Sequence, residues 1–135
     1  MFEVSIYTDG ACSGNPGPAG IGVVLICGDS RREISRYIGK ATNNRAEIQA
    51  VIDALRCLHR PERIHVTLHT DSQLVYGLLA LNWKAKANID LVTEMRDLAQ
   101  KCASLQVVKV RGHNGAPLNE RADTLARNAL EKGNF

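Results

Sequence analysis

Four acidic residues in this chain sit where carboxylates could hold divalent metal ions. Asp9 ends an alternating run, Val4-Ser5-Ile6-Tyr7-Thr8, that reads as a strand. A loop rich in Gly, Ser, Asn and Pro follows, from Gly10 to Gly17. Glycines there adopt backbone angles closed to other residues and let a ligand approach the main chain. Asp71 follows a second strand-like run, Ile64 to Thr70. If the two strands are adjacent and parallel, roughly 5 Å apart, both carboxylates stand at one sheet edge. Ligands of such sheets bind there, outside the strand C-termini. Glu47 lies in line with Ala50, Val51 and Ala54 and flanks the apolar stripe of a helix, which turns it toward the sheet. Asp123 lies past the first turn of its helix and shares a face with Ala126 and Leu130. An acid beside an apolar stripe usually has a partner.

Each acid also has an ordinary explanation. Asp9-Gly10 is a common turn signal. Asp71 suits a helix N-cap. Asn44-x-x-Glu47 resembles a capping box. Asp123 can reach Arg127 as a surface ion pair. If the four converge, however, they repel each other, and divalent cations relieve that repulsion. Hard oxygen ligands suit Mg²⁺ or Mn²⁺. The chemistry such a cluster serves best is two-metal phosphodiester hydrolysis.

The chain that must position these groups has 135 residues, the size of one domain. Its hydrophobic fraction of 44% is enough for a core. A net charge of +3 is compatible with a polyanionic partner but does not demand one. The four cysteines, Cys12, Cys27, Cys57 and Cys102, form no Cys-x-x-Cys pair, which speaks against zinc. They read as reduced thiols, three in core positions and Cys12 in the loop. No basic-then-apolar leader opens the chain. The longest apolar run, Ala19 to Cys27, is too short to span a bilayer. The expected location is the cytoplasm, with no membrane association.

Periodicity gives the elements. Strands are expected over Phe2 to Thr8, Gly20 to Cys27 and Arg31 to Gly39, the last at an edge, with a turn at Gly28-Asp29-Ser30. Asn44 is the expected cap of a helix carrying Ile48, Val51, Ile52, Leu55 and Leu58, stopped by Pro61. Strand four is Ile64 to Thr70. A short helix from Asp71-Ser72 reaches about Ala80. Asn88 is the expected cap of a second, with Leu91, Val92, Met95, Leu98 and Cys102 inward. Strand five is Leu105 to Val110. After the polar loop Arg111 to Ala116, Pro117 opens a helix to about Leu130, and Gly133 ends it. Three short-linked strands make an antiparallel meander, and strands reached through helices pair in parallel by right-handed crossovers. The expected fold is α/β: a mixed five-stranded sheet with helices on both faces, forming a single domain over residues 1–135.

Four motifs then combine in order: Tyr7-Thr8-Asp9-Gly10-Ala11-Cys12-Ser13-Gly14-Asn15-Pro16-Gly17, Thr42-Asn43-Asn44-Arg45-Ala46-Glu47, Thr70-Asp71-Ser72-Gln73, and Gly112-His113 leading to Asn119-Glu120-Arg121-Ala122-Asp123. Over nearly its whole length the chain resembles type 1 ribonuclease H, the bacterial single-domain form. The resemblance implies hydrolysis of the RNA strand of RNA–DNA hybrids with two Mg²⁺ ions, which Mn²⁺ could replace, leaving 5′-phosphate and 3′-hydroxyl ends. It implies that Asp9 bridges both metals. Asp123 helps hold the metal that activates water, and Glu47 and Asp71 hold the one at the leaving 3′ oxygen. His113 matches a histidine that assists protonation or product release. Read without the resemblance, it is an exposed loop histidine. Gly10, Cys12, Ser13 and Asn15 match the loop that approaches the minor groove, where the 2′-hydroxyl distinguishes RNA from DNA. Asn43, Asn44 and Gln73 match contacts to bases or sugars, and Thr42 a contact to a DNA phosphate. Ordinary turn and capping chemistry can coexist with these roles. His59, His65 and His69 match nothing.

The chain departs from the family in one segment. Many bacterial members carry a basic helix and loop where this chain has only Leu81-Asn82-Trp83-Lys84-Ala85-Lys86-Ala87. Two rival readings stand beside the first: a nuclease of the same architecture acting on another nucleic acid, and a non-catalytic hybrid-binding module. The set Asn15, Asn44 and Gln73 favours hybrids, and the presence of all four carboxylates speaks against a mere binder. A monomer with no obligate protein partner is expected.

Overall fold

The computed structural model describes residues 1–111 and 116–133. Five strands form one sheet: β1 (Phe2–Cys12), β2 (Gly17–Cys27), β3 (Ser30–Ala41), β4 (Ile64–Thr70) and β5 (Ser104–Lys109). Four helices accompany them: α1 (Asn43–Arg56), α2 (Gln73–Ala80), α3 (Ile89–Gln100) and α4 (Pro117–Gly133). The strand order is β3-β2-β1-β4-β5. β1, β2 and β3 pair antiparallel, whereas β1–β4 and β4–β5 pair parallel. The mixed sheet expected from the sequence is therefore the one found.

The pattern of burial explains which faces are covered. β4 alternates strictly, burying Ile64, Val66, Leu68 and Thr70. The first three join Ile21, Val23 and the apolar stripes of α1 and α3 in the main core. Val24, on the opposite face of β2 from Val23, packs instead with Ala122 and Leu125 of α4. Helices α1 and α3 thus cover one face and α4 the other. β2 is sandwiched between them, which is why its sequence is almost continuously apolar.

Strand one runs further than its composition suggests. The stretch Asp9 to Cys12, expected to be loop, continues β1 by pairing with Gly22 to Ala19 of β2. Only Ser13 to Pro16 remain as the connection. Gly10, which reads as a loop signal, is instead a place where a helix rests on strand backbone, and Gly22 of β2 is another. A Cβ at Gly10 would stand 2.7 Å from the Glu47 nitrogen of α1, and one at Gly22 would stand 2.0 Å from the Ala122 carbonyl oxygen of α4.

Two caps also differ from expectation. Thr42, not Asn44, is the N-cap of α1, its Oγ1 accepting from the Arg45 N–H at 3.2 Å. Threonine's hydroxyl sits on Cβ and reaches the third amide, while Asn44 lies inside the first turn. Asn88 precedes α3 as expected, but in the left-handed conformation with φ of 53° and no capping bond from its side chain. Its Oδ1 accepts instead from Arg45 Nη1. Ser72 caps α2 through a bond from the Val75 N–H, so Asp71 is not spent as a cap.

The backbone atoms facing Gly22 have no flexible end that can move aside. Gly22→Ala is therefore expected to push α4 off the sheet and to lower stability by ~1–3 kcal/mol in urea unfolding. Wild-type stability in that variant would mean that α4 does not rest on β2 in this way.

Candidate active site

The parallel register of β1 and β4 sets the first pair of acids. Tyr7 stands opposite His69, and two residues further along each chain come Asp9 and Asp71. One layer below them the Tyr7 and His69 rings stack, with centroids 4.2 Å apart. Burial holds the His69 imidazole below its ordinary pKa. Asp9 pairs with Gly22, so its side chain leaves the sheet on the α4 side.

Helix α1 brings the third acid. Its close seat on Gly10 buries Glu47, which is only 7% exposed. The Gly10 N–H donates to Glu47 Oε1 at 2.5 Å and to Asp9 Oδ1 at 3.0 Å, one donor shared by two carboxylates. Glu47 is therefore no capping-box residue: it reaches across to β1 rather than returning to its own helix start. Oxygens of Asp9, Glu47 and Asp71 lie within 4.8 Å of one another, a group able to hold a metal ion. Asp123 enters the same cleft from α4 while its Oδ2 pairs with Arg127 Nη2 at 2.9 Å. The expected ion pair with Arg127 forms, and the helix still sets the residue at the cleft.

Electrostatics fits a cation here. Burial, and then the charges of Glu47, Asp71 and Asp123, push the Asp9 carboxyl far above the usual carboxylate range. Burial and Asp71 raise Glu47, against the lowering effect of its bonds from Gly10 and with Asp9. The protein alone stabilises the charged forms poorly, and a divalent ion would supply what is missing. The donor set consists of hard oxygens, which suit magnesium-type ions and not zinc.

The remaining candidates surround this cleft. It holds about 220 Å³, and Gly10, Asn43, Asn119 and Glu120 complete its lining. Asn15 Oδ1 accepts from the Asn43 N–H at 2.9 Å, which ties the β1–β2 connection to the start of α1. Ser13 is exposed, and its N–H donates to the Pro18 carbonyl at 2.8 Å. Cys12 is half-buried at the end of β1 rather than in a loop, its thiol donating to the Ala41 carbonyl at 3.0 Å. Cys27, Cys57 and Cys102 are likewise half-buried against the core. Thr42 is occupied as the cap described above. Asn44 and Gln73 are exposed at the starts of α1 and α2. His113 lies outside the described residues.

A second, larger groove of about 430 Å³ opens beside the acids, lined by Asn44, Leu74, Leu78 and the segment Trp83 to Asn88. It is apolar, and the chemistry belongs to the smaller polar cleft. Trp83 lies flat over Gly77, where a Cβ would stand 2.1 Å from the ring, and it stays 40% exposed. Arg96 holds it there by donating to the carbonyls of Leu78, at 3.0 Å, and of Trp83. Nothing in the pattern of residues around Arg96 marks it for this role. Asn119 was missed as a lining residue, although a polar residue one turn before Asp123 on the same helix face is a signal that could have found it.

The family profile for RNase H matches residues 2–131. This chain belongs to the RNase H family. A ribonuclease H of Cupriavidus metallidurans is 46% identical over 143 residues, covering 96% of this chain and 97% of that protein. A ribonuclease HI of Caulobacter vibrioides is 44% identical, covering 98% and 95%. Among solved structures, RNase H1 of the archaeon Halobacterium salinarum superposes with a TM-score of 0.80 at 35% identity, covering 96% of this chain and 98% of that one. LC11-RNase H1, solved in complex with an RNA/DNA hybrid, gives 0.81 at 31% identity, covering 98% and 99%.

The raised carboxyls fix the sign of a pH effect on this RNase H domain. An acid whose pKa is higher folded than unfolded adds stability below the unfolded value, about 4, and loses it as pH rises toward the folded value. Without metal, the melting temperature is expected to fall from acid to mildly alkaline pH. Asp9→Asn should flatten that fall and raise the melting temperature at pH 8, and Mg²⁺ should restore the wild type. A metal-free wild type whose stability rises steadily with pH would contradict the assignment.

Proposed function

We propose that this chain is a metal-dependent endoribonuclease that cuts the RNA strand of RNA–DNA hybrids, leaving 5′-phosphate and 3′-hydroxyl ends. The observation that carries it is the convergence of Asp9, Glu47 and Asp71 within 4.8 Å in a cleft that Asp123 also lines. These residues would hold two divalent ions, Mg²⁺ or Mn²⁺, which supply charge stabilisation at the phosphodiester and lower the cost of deprotonating water. Asp9 is central because it lies between Glu47 and Asp71 on one side and α4 on the other. The shared Gly10 N–H keeps Asp9 and Glu47 oriented toward the cleft.

The family membership and the hybrid held by LC11-RNase H1 support the choice of substrate. In this reading Gly10, Cys12, Ser13, Asn15, Asn43, Asn44 and Gln73 follow the minor groove, where the 2′-hydroxyls are accessible. Thr42 meets a phosphate of the DNA strand. The groove with Trp83, Lys84 and Lys86 continues from the cleft across the first turn of α1, because Asn43 lines one and Asn44 the other. His113 keeps the assisting role that the resemblance gives it. A single domain acting as a monomer in the cytoplasm fits the four free thiols, and no helix among the described residues is long and apolar enough to cross a membrane.

Cleavage of an end-labelled hybrid in Mg²⁺ tests the reading, with double-stranded RNA, single-stranded RNA and duplex DNA alongside. Asp9→Asn, Glu47→Gln and Asp71→Asn are each expected to abolish cleavage while folding is kept. Near wild-type cutting by Asp9→Asn would sink the metal assignment, and preference for another nucleic acid would sink the substrate.

The short segment makes a further expectation. Each phosphate contact contributes about one unit to the log–log salt slope of binding. Changing Lys84 and Lys86 together to Ala should reduce that slope by no more than about two units, with cleavage intact in saturating hybrid. A much larger fall would show that this segment does more of the gripping.

A further inference from the structure

Among the described residues, one buried side-chain oxygen or nitrogen has no hydrogen-bond partner: Oδ1 of Asn119. The residue is only 7% exposed. It belongs to α4, four residues before Asp123 and so on the same helix face. It lines the acidic cleft together with Asp9, Glu47, Asp71 and Asp123.

A buried amide oxygen without a donor is unfavourable, and native structures contain few. No described residue of this cleft satisfies it. Apart from Asn43, whose amide makes no bond to it, the side chains around it are carboxylates, which accept and do not donate when charged. The Gly10 N–H, a donor at the cleft, is already shared by Asp9 and Glu47. A leucine of similar shape would remove the unfavourable group outright. Among the described residues nothing donates to it, which points to a partner that arrives from outside and carries a donor into a site built mostly of acceptors.

We propose that Asn119 is a further residue of the reacting centre, its Oδ1 accepting the hydrogen bond of an O–H that arrives when the site is loaded. That O–H belongs either to water carried in by the divalent metal or to the ribose 2′-hydroxyl of the RNA strand. The inference rests on the ribonuclease reading above, and it adds a neutral oxygen to a centre otherwise made of charged ones. Asp123 and Asn119, one turn apart, then act as a charged and an uncharged acceptor presented by one helix.

The test uses Asn119→Leu, with Asn119→Ala as a second variant should the larger side chain not fit. Thermal unfolding is measured in EDTA, and cleavage of a hybrid in Mg²⁺. Removing an unsatisfied acceptor should leave the melting temperature in EDTA equal to or above wild type, while kcat/KM falls about ten- to a hundred-fold, the worth of one hydrogen bond in the transition state. A purely structural amide would do the reverse: a fall of more than about 4 °C in both variants overturns the proposal, as does cleavage within threefold of wild type.

Mg²⁺ titration without substrate separates the two donors. If metal-borne water is the donor, the variant's Mg²⁺ midpoint moves to higher concentration. If the ribose hydroxyl is the donor, the midpoint stays and the preference for binding hybrid over duplex DNA narrows. A wild type that does not cut hybrids would remove the ribonuclease reading itself, whereas a wild type and an Asn119→Leu that cut equally would remove this inference alone.

Discussion

Everything in this molecule depends on how closely two helices can approach the sheet. A helix packed on side chains stands about 10 Å from a strand, too far for its own short acids to meet those of the strand. Here the first turn of α1 rests on the backbone at Gly10, and α4 rests on Gly20 and Gly22. At Gly20 a Cβ would stand 2.6 Å from the Ala126 carbonyl oxygen. Glu47 and Asp123 are thereby lowered onto the strand that carries Asp9. The same contacts account for the small residues on the buried face of α4, Ala122, Ala126 and Ala129.

That closeness has an electrostatic cost, which the protein accepts at one place and offsets elsewhere. Arg121 and Arg31 both pair with Glu33, holding its carboxyl down at about 2. Arg36 holds Asp53 and Arg45 holds Asp90. These are exposed or partly exposed pairs of ordinary worth. Among the described residues, no arginine or lysine forms an ion pair with Asp9, Glu47 or Asp71. A cation fixed there by the protein would compete with any that arrives from solution. The molecule keeps its fixed positive charge on the periphery and leaves the centre of the cleft negative.

Much of this was legible in the sequence because period and position carry it. The alternation of Ile64, Val66 and Leu68 marks β4, and the residue after it, Asp71, follows at once. The spacing of Ile48, Val51, Ile52 and Leu55 gives the inward face of α1 and with it the turn of Glu47 toward the sheet. What failed to show was longer in range. Asp9 to Cys12 look like loop because local composition cannot reveal that β2 will pair with them. Thr42 and Asn44 are both good caps, and only the pairing of Gly17 with Ala41 fixes where the helix begins. Arg96 looks like any surface arginine until the chain has folded Trp83 back over Gly77. Gly10 was read for its freedom, whereas its service here is to have no side chain at all.

The Trp83 arrangement has one more implication. An aromatic ring pinned over a glycine, with its carbonyl held by a guanidinium, has little rotational freedom left to lose. Arg45 fixes the far end of the same segment through Asn88 and Asp90. Ordering a mobile side chain during association weakens it by about 0.5–1.5 kcal/mol each, and this wall has been ordered beforehand by folding. A long basic appendage gathers a polyanion through charge and must stiffen as it does so. A short wall gathers far less from a distance, yet presents a surface that is already set. In this chain grip becomes a question of shape, and so of residence time once docked, more than of reach.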